Sequence, residues 1–195
     1  MVKKIDPDDY LLDPENDAML IRGINKYAEI AGIGGNPEYI WMSGKKNPDV
    51  DNKDDREVIN KLFKLKEENH FGVAYLGFDS SLLSRKFMAL TGMLLRKYKD
   101  AFYSPMSMYV VRLMDSGNPG HEVTFIPDFI SEGHSEKVPE WKQDIVLGLL
   151  MEKQASGEIL VVGISDIDVL RKVYGVGIYN FIIGNYTSVH ARASK

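Results

Sequence analysis

The chain has 195 residues, 44% of them hydrophobic and 27% charged, which suits one principal core and is too ordered a composition for a disordered segment. It contains no cysteine, which excludes disulfides, thiolate metal sites and cysteine nucleophiles, and its net charge of -4 argues against nucleic-acid binding driven by the whole surface. No window reaches the apolar length of a membrane span and "MVKKIDPDDYLLDPEND" at the amino terminus lacks an apolar signal core, so a soluble, cytoplasmic protein is expected.

Asp13 and Pro14 suit an N-cap and first helical position, and Leu20, Ile21, Ile24, Tyr27, Ala28 and Ala31 recur at helical spacing until Gly32 stops the run. The next stretch, rich in glycine, asparagine, proline and charge, reads as irregular, with Tyr39, Ile40 and Trp41 pinning it to an apolar surface. Asn52 suits the cap of a second helix reaching about Glu68, with Val58, Ile59, Leu62, Phe63 and Leu65 turned inward. From Phe71 onward, short apolar runs alternate with helical patterns, the sequence form of a parallel sheet covered by helices. A strand from Val73 to Leu76 leads into a helix from Ser81 to Tyr98, and a second strand lies around Ala101 to Ser104. Pro105 and Gly117 bracket a short helix, with an extended run from Tyr109 to Met114 as the competing reading. "EVTFIPDF" is a third strand ending at Pro127, because proline cannot donate to a ladder. The helix from Pro139 to Ala155 is expected to turn Trp141, Ile145, Leu149 and Met151 inward before Gly157 ends it. "EILVVGIS" is the most β-like segment and predicts a central strand. Asp166 suits the cap of "IDVLRKVYG", a short helix or turn covers Gly177 to Ile183, and "NYTSVHA" supplies a last strand.

The strand, turn and helix of "VAYLGFDSSLLSRKFMALTGMLLRKY" are how a phosphate-cradling loop is introduced. A working loop has the form G-x-x-x-x-G-K-[ST]: glycines aim backbone N–H groups at the phosphates, lysine bridges them and the hydroxyl binds magnesium. Gly77 stands at the first position, but Leu82 falls where the second glycine belongs and Leu83 where the lysine belongs. Ser84 keeps the hydroxyl, Asp79 adds a negative charge, and Arg85 and Lys86 lie past the loop. From the loop alone, a plain strand-to-helix turn is the simpler reading.

From Phe71 to His190 the order of elements and several strings resemble the AAA+ core of bacterial replicative helicase loaders (DnaC/DnaI type) and insertion-sequence helper ATPases (IstB type). "GVAYLG" is similar to their strand entering the Walker A loop, "FYSPMSMYVVRLMDS" to their second strand and helix, and "VTFIPDF" to their Walker B strand. "LLMEKQASGEILVVGISDIDVLRKVYGVGIYNFIIG" resembles their sensor strand, following helix and arginine-finger segment. The resemblance implies a three-layer α/β, P-loop NTPase-like domain over 70–195 without a C-terminal lid. Its parallel five-stranded sheet would have the order 5-1-4-3-2, behind a helical N-terminal region over 1–69.

The departures fall on the chemistry. Besides the lost lysine, the metal-holding acid of the family becomes Pro127, while Asp128 stays at the second acid. The polar sensor falls on Gly163 or Ile164, and "GVGIYNFI" contains no arginine. Phosphoryl transfer depends on positioned positive charge and metal, so the resemblance implies a pseudo-ATPase with only remnant positions, Gly77, Ser84, Arg85 and Asp128. No catalytic residue, metal ligand or cofactor is then expected. The implied role is a helicase-loader-like accessory protein, of a phage or mobile element, that binds a replicative helicase, a loader or an initiator. An ATP- and magnesium-binding enzyme or switch using Arg85 or Lys86 is the alternative from another class, and a single-stranded DNA-binding protein is a third.

His70, His121, His134 and His190 share no metal-ligand spacing and read as surface residues, with Asp128, His121 and His134 the one combination to inspect. Ser80, Ser81 and Ser84 lack a nucleophile elbow, and Gly32, Gly34 and Gly35 follow a helix, the wrong context for a dinucleotide loop. Asp166 and Asp168 suit helix capping rather than calcium. Lys45, Lys46 and Lys53 interleave with Asp49, Asp51, Asp54 and Asp55, the pattern of a solvated loop.

Overall fold

Five apolar runs form strands: β1 Gly72–Leu76, β2 Ala101–Tyr103, β3 Val123–Ile130, β4 Ile159–Ile164 and β5 Tyr186–His190. The computed structural model describes residues 12, 15–35, 37–41, 49–50, 53–62, 64–65, 71–116, 120–130 and 136–191. The expectations at Asp13, Pro14, Lys45, Lys46, Asp51, Asn52, Phe63, His70, Gly117 and His134, and at the Trp41, Lys53 and Asp54 side chains, lie outside the described residues. All pairings are parallel and the strand order is β2-β3-β4-β1-β5, the expected 5-1-4-3-2 read from the other edge. β4 is central, and all its residues are buried, which explains its unbroken apolar run.

Alternation along the strands feeds two hydrophobic layers. Val73 and Tyr75 of β1 share one core with α1 (Ala18–Ile30), α2 (Glu38–Trp41), α3 (Lys53–Lys61) and α4 (Ser80–Arg96). Ala74 and Leu76 face α5 (Met106–Ser116), α6 (Glu140–Ser156) and α7 (Ile167–Asn185). The described part of the N-terminal region is thus continuous with the core around α4. A backbone bond from the Tyr103 N–H to the Ala31 carbonyl, 2.9 Å, anchors the end of α1 on edge strand β2. Gly32 follows with φ 78°, where a Cβ would overlap the Tyr103 carbonyl oxygen. Among the described residues no helix is long and apolar enough to cross a membrane.

Three local expectations need correction. Helix α1 begins at Ala18 behind Asp17, and Tyr27 is exposed rather than inward. Strand β3 does not end at Pro127 but runs on to Ile130. The ladder slips instead, between the pairs Ile126↔Val162 and Ile130↔Ile164, so the missing N–H of proline falls in a bulge. Helix α6 buries Val146, Leu149, Leu150 and Lys153, leaving Trp141, Ile145 and Met151 exposed. The two pieces expected after Asp166 are both present: α7 is two helical stretches separated at Gly175, whose φ of 80° and ψ of 174° are not helical. The segment from Met106 to Ser116 is helical, which removes the extended reading.

Candidate functional site

The chain leaves β1 toward α4 on one face and leaves the adjacent β4 toward α7 on the other, so the carboxyl ends of these strands make the crevice where open α/β sheets bind ligands. That crevice has a volume of about 470 Å³ and is lined by Gly77, Ser165, Asp166 and His190, among others. Gly77 turns the chain with φ 75°, a conformation open to glycine, and its N–H donates to the Ile164 carbonyl at 2.9 Å.

Helix α4 begins at Ser80, leaving Gly77, Phe78 and Asp79 as the whole connection. The residues that would form the upper part of a phosphate cradle, Ser80 to Leu82, are already helical. Asp79 then accepts hydrogen bonds from the N–H groups of Ser81, 2.9 Å, and Leu82, 3.0 Å, and from the Ser81 hydroxyl. These are first-turn amides, the donors a phosphate uses at a helix N-terminus. The hydrogen bond from the Ser81 side chain, then that from the Leu82 N–H, holds the Asp79 carboxyl below its usual range. Across the crevice Asp166 does the same for α7, accepting from the N–H groups of Asp168, 2.8 Å, and Val169, 3.4 Å. Both helix termini beside the crevice therefore carry their own carboxylate.

The lowered folded-state pKa of Asp79 has a fixed sign. Its stabilisation is present above the unfolded carboxyl pKa and disappears as pH falls through the folded value. Thermal melts of the wild type and Asp79→Ala should differ at pH 7 and draw together as the pH falls through the folded-state value.

Beneath the turn lies an apolar contact. Leu83 is buried, and a Cβ on Gly163 would overlap the Pro127 carbonyl oxygen and stand 2.6 Å from Leu83 Cδ1. The three residues at the positions that the resemblance assigns to the lysine, the metal-holding acid and one choice of sensor thus pack together. Gly163 leaves no room for a sensor side chain, and the other choice, Ile164, is buried in the opposite layer.

The other positions singled out by the resemblance have structural partners. Ser84 Oγ lies 2.6 Å from the Tyr103 hydroxyl. Asp128 accepts from the Met106 N–H at 2.7 Å, at the start of α5. Burial, then the Asp128 charge, raises the Tyr103 pKa. Arg85, its side chain 60% exposed, has Nε 3.7 Å from Asp49.

Lys86 is buried in an ion pair with Asp55 of α3, whose other oxygen accepts from the Tyr75 hydroxyl at 3.2 Å. Its ammonium is committed to the α3 carboxylate. Asp55, expected in a solvated loop, is 1% exposed. Spacing carried a signal that the loop reading missed: Asp55 precedes Ile59 and Leu62 on the α3 stripe, and Lys86 falls between Leu83 and Leu90 on that of α4.

The inspected metal combination does not form. His121 stacks on Phe102, 4.7 Å between ring centroids, with Nδ1 2.9 Å from Asp100. It precedes β3, whereas Asp128 lies near the far end of that strand. Its side chain is 15% exposed, so it is not the surface histidine expected, while His190 is exposed. Among the described residues no group of three or more His, Cys, Asp or Glu could hold a metal ion. A scan of protein-family models found no match to the chain, and a search of curated proteins found none either.

Proposed function

We propose that this chain is a pseudo-ATPase: a non-catalytic accessory protein that keeps a P-loop-like scaffold and acts by binding another protein. The resemblance supplies the partner class, a replicative helicase, a loader or an initiator, and the setting, DNA replication or mobile-element biology. The observation that carries the reading is the use of the first-turn amides of α4 by Asp79, with Asp166 doing the same across the crevice. A triphosphate entering there would displace one carboxylate and face another, with Leu83 in place of an ammonium. The atypical-loop alternative needs Arg85 or Lys86, and both have carboxylate partners elsewhere.

Isothermal titration with ATP and magnesium should give no saturable heat into the millimolar range. A purified helicase, loader or initiator from the native host should give a saturable complex unchanged by ATP. Micromolar ATP binding would return the atypical-loop reading. Salt-dependent binding of single-stranded DNA, with no protein complex, would favour the third class.

A further inference from the structure

A second cavity, also of about 470 Å³, opens at the carboxyl end of β3 between α5 and α6. Its walls are mainly apolar: Val110 of α5, Phe129 of β3, Trp141 and Ile145 of α6, and Tyr174 of α7. Trp141 and Ile145, one turn apart on the lip, are 57% and 46% exposed, an arrangement that soluble proteins keep chiefly where something binds. Asp128 also lines the cavity, with one oxygen taken by the Met106 N–H and the other without a partner among the described residues. A partly desolvated carboxylate with an open oxygen in an apolar wall favours a cationic donor. At the rim the Lys142 ammonium stands 5.2 Å from the Trp141 ring centroid, so the charge order is anion inside and cation outside.

We infer that this groove docks an amphipathic helical segment of a partner protein. The segment inserts apolar side chains, directs a basic side chain to Asp128 and sets an acidic one beside Lys142. The inference rests on the protein-binding reading above. The basic and acidic positions follow from charge complementarity, and the exposed lip carries the apolar surface out of the cavity toward a partner backbone.

The test uses the full chain in a Trp41→Phe background, so that Trp141, the other of its two tryptophans, reports binding by fluorescence. The probes are synthetic amphipathic helical peptides that differ at one apolar-face position, occupied by Arg, Gln or Glu. The Arg peptide should bind about tenfold more tightly than the Glu peptide. Asp128→Asn keeps an oxygen for the Met106 N–H and should bring that ratio close to one. Ile145→Glu, at an exposed position, should weaken every peptide. Absence of binding, charge-independent affinity, or an Arg preference that survives Asp128→Asn would overturn the inference. So would concentration-dependent self-association abolished by Ile145→Glu, which would make the occupant a second copy. ATP with magnesium is titrated in parallel: ATP binding beside a retained Arg preference defeats the pseudo-ATPase reading alone, and the converse defeats the groove alone.

Discussion

Asp55→Ala should lower the unfolding free energy by about 3–5 kcal/mol in denaturant titration at neutral pH, because it strands the buried Lys86 ammonium without the carboxylate it pairs with. The side chains are 9% exposed for Lys86 and 2% for Asp55, so solvent can do little to screen the loss. The same principle predicts recovery when the charges leave together. Asp55→Leu with Lys86→Met should regain most of the loss, since burying an ion pair costs desolvation that an apolar pair avoids. A deficit of about 1 kcal/mol should remain from loss of the hydrogen bond between the Tyr75 hydroxyl and Asp55, and Tyr75→Phe should reduce it. Equal loss in the single and triple variants would mean that shape, not charge, joins α3 to α4.

The second large effect concerns attempts to build a nucleotide site into the crevice. Leu83→Lys should destabilise by about 3–5 kcal/mol, because it replaces a buried packing group with an unpaired ammonium. Gly163→Asn should cost about 3 kcal/mol or more: even its Cβ overlaps a backbone oxygen, which no rotamer can relieve. Neither variant should gain ATP affinity, because Asp79 still holds the amides of Ser81 and Leu82. A Leu83→Lys protein that melts like the wild type and binds ATP with magnesium would refute the packing argument.

The sheet was legible because each strand is a short apolar run with a turn signal behind it, and its parallel order came with the resemblance. Side chains that choose between two environments were harder to read. Trp141 and Ile145 have the spacing of an inward stripe, yet the N-terminal part of α6 meets a groove and not the sheet. Pro127 signals the end of a ladder, but nothing local says that a bulge will absorb it and let the strand continue. Asp55 and Lys86 are far apart in sequence and polar, so their pairing appears only when α3 packs on α4. In the candidate site, the leucine at the position a phosphate loop gives to lysine was plain from the letters. That Asp79 takes the vacant donors required knowing that α4 begins at Ser80, and helix starts are the least certain element of such readings.

The most direct measurement follows the amide resonances of Ser81, Leu82, Asp168 and Val169 while ATP and magnesium are added to millimolar concentration. With their hydrogen bonds to Asp79 and Asp166 intact, these four signals should stay where they are. Saturable shifts at those amides with a micromolar midpoint would contradict the account.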